Sequence, residues 1–166
     1  MTAPQPLIIV GYVDRPYEAV RNLLQTRGGE LLQRATMAAG DITQGLLARI
    51  RVGAAGLEVG VDVRVELTRQ PSEPSVAGLP EVSHVGLSWK AARGEALFPS
   101  MRGDLSATAL TFSDTRIAFE GVYTPPFGEV GRALDSLIGH RVAEAALHRF
   151  VLDVVEQIRR ELPRGA

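Results

Sequence analysis

The sequence contains no cysteine, which excludes disulfide bonds, a thiol nucleophile and thiolate ligands for a metal ion. Aromatic residues are scarce at 5%, and Lys90 is the sole lysine among the 18 basic residues. Those 18 residues are balanced by 19 acidic ones, so the formal net charge is −1. The strong basic excess of nucleic-acid-binding proteins is therefore missing, and we expect no nucleic-acid partner.

Long apolar runs are also missing, so no membrane-spanning helix is expected. The apolar run at residues 7–10 is too short for the core of a secretion signal, and no charged segment precedes it. These absences favour a cytoplasmic protein. A length of 166 residues, with 45% hydrophobic and 22% charged residues, is typical of one globular domain, so we expect residues 1–166 to form a single domain.

The N-terminal part predicts a strand followed by a helix. Residues 6–13 are rich in β-branched side chains, and Asp14 is suited to cap a helix. Apolar residues then recur at helical spacing: Tyr17, Val20, Leu23 and Leu24. We expect this helix to end at Gly28-Gly29. The segment 30–44 stays open between a short helix, a loop and a short strand.

The central part predicts antiparallel strands, because apolar and polar residues alternate there with a period of two. The alternation covers residues 46–52 and, more clearly, residues 57–67. Three further strands are expected, at residues 82–92, 101–112 and 115–123. Ser113 and Asp114 are typical turn residues and would connect the last two strands.

The C-terminal part, from about residue 128 to 162, contains no proline and predicts one long helix. At about 100° per residue, its apolar residues fall on one stripe: Val130, Leu134, Leu137, Val151, Val155 and Leu162. A helix of this length can cover one face of a sheet. We therefore predict an α+β fold in which a curved antiparallel sheet of six or seven strands wraps around the long C-terminal helix.

This order of elements resembles the helix-grip, or START-like (SRPBCC), superfamily, which includes polyketide cyclases and lipid-transfer domains. The resemblance is sharpest in the segment Gly-Val-Tyr-Thr-Pro-Pro-Phe-Gly-Glu-Val-Gly at residues 121–131, followed by Asp135 and Gly139-His140-Arg141. That stretch is similar to an uncharacterised bacterial subfamily of the polyketide cyclase/lipid-transport type. The resemblance implies a cavity for a hydrophobic ligand between the sheet and the C-terminal helix.

Three polar residues share the apolar stripe of the C-terminal helix: Arg141, Glu144 and His148. Residues three or four positions apart are neighbours on a helix, so these side chains can interact. Polar groups directed at a core need partners, because an unsatisfied one costs about 1–3 kcal/mol. We expect them to line a polar end of the cavity and orient a ligand. Alternatively, they form a structural ion pair with a sheet residue such as Asp104, or a bend at Gly139 turns them outward.

Further ligand-binding candidates are Trp89 and Tyr123, which combine an apolar ring with one polar group, and Ala145, whose small side chain would leave space opposite the sheet. Each could equally belong to an ordinary core or helix. His140 and His148 would lie about 12 Å apart along a helix, too far to bind one metal ion. We expect neither a metal site nor a cofactor.

The sequence therefore predicts a carrier or sensor for a small hydrophobic ligand such as a lipid, polyketide or aromatic compound. The alternative is an enzyme of the cyclase or aromatase type, in which His148 or Glu144 moves a proton. A third interpretation is a protein–protein module that acts through the outer face of the sheet, for which we would expect an exposed apolar patch. A homodimer remains open.

Overall fold

The protein, described by a computed structural model, has two long helices and five strands. The structure describes the backbone of residues 5–51, 63–69, 82–91, 100–124 and 132–163, and the side chains of residues 6–35, 82–88, 100–122, 144–145 and 147–163. The elements in chain order are β1 (Gln5–Val13), α1 (Tyr17–Arg51), β2 (Val63–Arg69), β3 (Val82–Ala91), β4 (Ser100–Ala109), β5 (Thr115–Thr124) and α2 (Arg132–Glu161).

The strands form one antiparallel sheet in the order β1-β5-β4-β3-β2. β2 to β5 follow each other as a meander, and β1 pairs with the last strand, so that Ile9 lies opposite Phe119. This confirms the α+β class, the antiparallel sheet and the C-terminal helix. The expected number of six or seven strands is wrong for the part of the chain that the structure describes, which contributes five.

One face of the sheet carries the hydrophobic core, and the alternation of side chains along β1 shows which one it is. Leu7, Ile9 and Val13 are buried, whereas Ile8 and Tyr12 between them are exposed. Successive side chains of a strand point to opposite faces, so the odd-numbered residues of β1 face the core. The same face of β4 and β5 carries fully buried residues: Leu105, Ala107, Ile117 and Phe119.

Both helices cover this one face. α2 contacts β1 and β5, α1 contacts β4 and β2, and the two helices pack along each other. The hydroxyl groups of Tyr17 in α1 and Ser83 in β3 are 2.7 Å apart and form a buried hydrogen bond. The layer over the sheet is therefore a pair of helices, whereas the sequence suggested a single C-terminal helix.

The prediction that the first helix ends at Gly28-Gly29 is wrong, because α1 continues to Arg51. Each glycine inside a helix costs about 1 kcal/mol relative to alanine, and packing outweighs that cost here. Leu31 and Leu32, which follow the glycines, are 3% and 1% exposed and belong to the core.

The expected strand at residues 46–52 is also wrong, since α1 includes residues 46–51. Leu46, Leu47 and Ile50 are spaced i, i+1 and i+4, so the apolar pattern also fits one side of a helix. The long strand expected at residues 57–67 is confirmed from Val63 onward as β2. Its first half lies outside the described residues, as do Pro125 and Pro126.

The three remaining strand predictions are confirmed to within a few residues. β4 ends at Ala109, three residues earlier than expected, because the connection to β5 is a closed turn. The backbone N–H groups of Leu110 and Thr111 both donate to the carbonyl of Asp114. The Thr111 hydroxyl donates to the Asp114 carboxylate at 2.7 Å, which holds the turn in shape.

Candidate functional site

The C-terminal half of α2 lies unusually close to β1. A Cβ atom placed on Gly11 would lie 2.9 Å from a methyl group of Val155 and 3.0 Å from one of Val151. Only glycine lets the two elements approach to this distance without displacing these side chains. The sheet and α2 are therefore sealed against each other at this level.

A second pair of glycines lies further along the same face. Gly103 in β4 is directly opposite Gly121 in β5. A Cβ atom on Gly103 would lie 2.5 Å from the Phe119 ring, and one on Gly121 would lie 2.7 Å from it. The ring of Phe119 thus lies across the two glycines, in the space where their side chains would be.

Burial decreases toward the end of the sheet that contains Met101. The row of Gly103 and Gly121 is still covered, because Leu7 and Leu87 in that row are 5% and 2% exposed. In the next row on this face, Met101 is only partly buried. The sheet is therefore closely covered as far as the row of Gly103, and less so at Met101.

The same change occurs along α2. Leu147 and Phe150 are buried, but Glu144, one turn earlier, is exposed. Seven residues make almost two full turns, so Glu144 lies on nearly the same side of α2 as Val151, which packs against the sheet. A residue in that sector stays exposed only where nothing covers it closely. α2 is therefore less closely covered at Glu144 than at Val151.

The strand register brings two of the predicted site residues to this less covered end. Met101 lies directly opposite Tyr123 in β5 and directly opposite Trp89 in β3. The three positions form one row across the sheet, next to the row of Gly103 and Gly121. The side chains of Trp89 and Tyr123 themselves lie outside the described residues.

Three of the four predicted site residues on α2 are exposed. Glu144, Ala145 and His148 are all exposed, and the side chain of Arg141 lies outside the described residues. Exposure alone does not place Glu144 and His148 in a cavity, so their role in ligand binding stays a prediction. The buried sector of α2 consists of Leu147, Phe150, Val151, Val154, Val155 and Ile158. His148 lies at the margin of that sector, on the flank of the helix.

The alternative of an ion pair with Asp104 is not supported either. Asp104 precedes the fully buried Leu105 in β4 and follows Gly103, so it takes the face of the sheet away from the helices. Its register partner there is Glu120, which is exposed. The polar residues of α2 and Asp104 therefore lie on opposite sides of the sheet.

Arg15 anchors the C-terminal end of α2, a role that no sequence pattern indicated. Its guanidinium group donates to the carbonyls of Leu162 and Arg159 and forms an ion pair with Asp14 at 3.1 Å, while only 8% of the residue is exposed. A cation at a helix C-terminus is favourable because the last carbonyl groups carry partial negative charge. In turn, Arg159 donates to the carboxylate of Asp14 at 3.1 Å.

An open cleft of about 500 Å³ lies beside this anchor. It is lined by Asp14, Arg15, Pro16, Ala19, Ser113, Asp114, Leu162 and Pro163. Arg15 is the residue of this cleft best suited to bind an anion, but its guanidinium group already donates to carbonyl groups at the end of α2. A ligand in this cleft would therefore compete with those carbonyl groups for Arg15.

Two further features are absent from the described part of the chain. No helix there combines the length and the hydrophobicity that a membrane span requires. The same residues hold no group of three or more His, Cys, Asp or Glu side chains that could bind a metal ion.

No protein family matches the chain, and no curated protein matches it either. Among solved structures, the chain is similar to the protein TTHA0849 from Thermus thermophilus, with 12% identity, 95% of this chain and 99% of that chain covered, and a TM-score of 0.48. It is also similar to Mll3558 from Rhizobium loti, with 14% identity, 91% of this chain and 97% of that chain covered, and a TM-score of 0.36. An uncharacterized protein from Rhizobium leguminosarum is 12% identical, with 93% of this chain and 96% of that chain covered and a TM-score of 0.36. None of these similarities assigns the chain to a family.

Proposed function

We propose that this protein binds a small apolar molecule between the sheet and the helices, at the end that contains Met101. The observation that carries the proposal is a loss of burial along both β4 and α2 toward the same end of the fold. Leu105 and Phe150 are fully covered, whereas Met101 is partly covered and Glu144 is exposed. The C-terminal end of α2 is fixed by Arg15, so the two layers are held together at the other end.

The residue types at this level suit an apolar ligand. Methionine is flexible and polarizable, so it adapts to ligands of different shape. Trp89 and Tyr123, in the register positions on either side of Met101, carry aromatic rings with a single polar group each. Burial of apolar ligand surface would contribute roughly 25 cal/mol per Å², which is the main source of affinity in sites of this kind.

The proposal can be tested through intrinsic fluorescence, because Trp89 is the only tryptophan of the chain. We expect a fatty acid or a polycyclic aromatic compound to change the Trp89 emission in a saturable manner. Native mass spectrometry of freshly purified protein should show the mass of a co-purified apolar molecule, lost after extraction with organic solvent.

Two adjacent residues of β4 provide a matched pair of variants. Met101→Glu places a charge on the helix-facing side, and we expect it to weaken probe binding about tenfold or more, since an unpaired buried charge is costly. Arg102→Glu changes an exposed residue of the opposite face and should leave binding unchanged. Met101→Leu keeps the volume and apolar character, so it should bind and fold normally. Equal affinities for Met101→Glu and Arg102→Glu, in folded protein, would contradict the proposal.

A further inference from the structure

β1 is an edge strand of the sheet, and no further strand among the described residues pairs with its outer side. It is nine residues long, and edge strands of this length are templates for pairing with another chain. This surface lies outside the space between the sheet and the helices, so its role is independent of the proposed ligand.

The backbone groups along this edge can be assigned from two contacts. Arg159 of α2 donates to the carbonyl of Tyr12 at 3.2 Å, so that carbonyl points away from β5. Carbonyl and N–H groups of residues two apart in a strand point the same way, so those of Val10 and Ile8 also face the open edge. Pro6 is two residues before Ile8, so its backbone nitrogen also faces the open edge. Proline has no N–H group to donate, and in sheets it is found on edge strands where that position faces solvent.

Exposed apolar side chains are concentrated around the same edge. Of the six large ones in the described part of the chain, four lie here: Ile8 (63% exposed), Tyr12 (60%), Leu152 (42%) and Val122 (38%). Val122 lies opposite Pro6 in the register. Leu152 is seven residues before Arg159 and thus on the same flank of α2, the flank that reaches the backbone of β1.

We propose that two copies of this chain pair through β1, antiparallel and related by a two-fold axis near Val10. Ile8 of each copy then lies opposite Tyr12 of the other, and the two five-stranded sheets become continuous. α2 contacts both β1 and β5, so its axis lies over these two strands. With strands about 4.8 Å apart, the two α2 axes come to about 10 Å from each other, which is a normal helix packing distance.

In this arrangement, the exposed flank of α2 packs against the same flank of α2 in the second copy. Val151 and Val155 contact Gly11, so the level of Val10 corresponds to the region of Leu152 on α2. Around an axis there, Leu152 meets Leu152 of the second copy. His148 faces Glu156 of the second copy, and all three residues are exposed in the single chain.

The next positions along the helix fit as well. Ala145 faces Arg159 of the second copy, and its small side chain leaves room for the guanidinium group, which stays bonded to Asp14 and to the Tyr12 carbonyl of its own chain. The exposed apolar residues, the unpaired strand edge and the pairing of His148 with Glu156 thus all favour a second copy of this chain as the occupant.

Light scattering across a concentration series tests the proposal. We expect the wild-type chain to approach twice its mass of 17.9 kDa. Ile8→Lys and Leu152→Glu should each weaken the dimer about tenfold or more, since both place charges at the centre of the interface. Phe112→Lys makes the same kind of change at a fully exposed residue of the β4–β5 turn and should leave the dimer intact. A monomer at every concentration, or a dimer insensitive to Ile8→Lys and Leu152→Glu, would overturn the proposal.

A disulfide trap tests the position of the axis, because the chain has no cysteine of its own. Leu152→Cys should form a covalent dimer rapidly under mild oxidation, since its copies meet at the axis. Gln25→Cys, an exposed position on α1, provides the matched control and should cross-link only at the rate of random collision. Equal cross-linking of the two variants would contradict the arrangement.

A charge exchange supplies the third test. Glu156→Arg should weaken the dimer, because His148 loses the carboxylate that faces it. Adding His148→Glu to the same chain should restore dimerisation, since a glutamate then faces the arginine. A double variant that is no stronger than Glu156→Arg would show that the two residues do not face each other.

Discussion

The ring of Phe150 meets the ring of Phe119 edge-on, with centroids 6.3 Å apart and planes inclined by 79°. Both side chains are fully buried, and they join α2 to β5. Phe119 also covers the pair Gly103 and Gly121, so this aromatic contact stands at the boundary between the sealed part of the core and the less covered end.

Phe150→Ala is expected to lower the free energy of unfolding by about 3–5 kcal/mol, because it removes a buried ring and leaves a cavity against Phe119. Urea denaturation followed by circular dichroism would measure the change. Phe112→Ala is the control, since Phe112 is fully exposed, and it should change stability by less than about 0.5 kcal/mol. Similar losses in the two variants would contradict the described role of Phe150.

Gly103→Ala should destabilise the protein by about 2 kcal/mol or more, although it adds only a methyl group. The new Cβ would lie 2.5 Å from the carbonyl oxygen of Glu120 and 2.5 Å from the ring of Phe119. The oxygen belongs to the backbone of the neighbouring strand and cannot rotate away. A melting temperature equal to that of the wild type would show that β4 and β5 are further apart than described.

Gly29→Ala should act in the opposite direction and stabilise the protein by about 0.5–1 kcal/mol. Gly29 lies within α1, and a Cβ atom there would meet nothing within 4 Å. The same denaturation experiment measures the gain. A loss of stability on this substitution would indicate that α1 is interrupted at the glycines, as the sequence alone suggested.

The strands were largely predictable, because a period of two needs only neighbouring residues to be recognised. β3, β4 and β5 begin or end within a few residues of their predicted positions. The length of α1 was not predictable. Gly28-Gly29 is a local signal for a helix end, whereas the packing that overrides it involves residues that are distant in sequence. Leu31 and Leu32 belong to a core to which residues of α2, distant in sequence, also contribute.

The candidate site was predictable only in part, for a related reason. The apolar stripe correctly placed Val151 and Val155 in the core. It could not show that Glu144, in nearly the same sector, remains exposed, because that depends on which turns of α2 the rest of the fold covers. The alignment of Trp89 and Tyr123 with Met101 depends on the register of three strands, which local sequence does not determine.

Arg15→Lys should lower the free energy of unfolding by about 1.5–3 kcal/mol, even though the charge is kept. The planar guanidinium group donates to two carbonyl groups at the end of α2 and pairs with the carboxylate of Asp14 at the same time. A single ammonium group cannot reach all three. We also expect faster amide hydrogen exchange in the last turn of α2, while exchange at Phe150 and in the central strands follows only the change in global stability. Arg34→Lys is the control, because Arg34 contacts Glu30 on the exposed side of α1 and should contribute less than about 0.5 kcal/mol. Unchanged exchange near Leu162 in Arg15→Lys would mean that another group holds the end of α2, and that the closed end of the fold does not depend on this arginine.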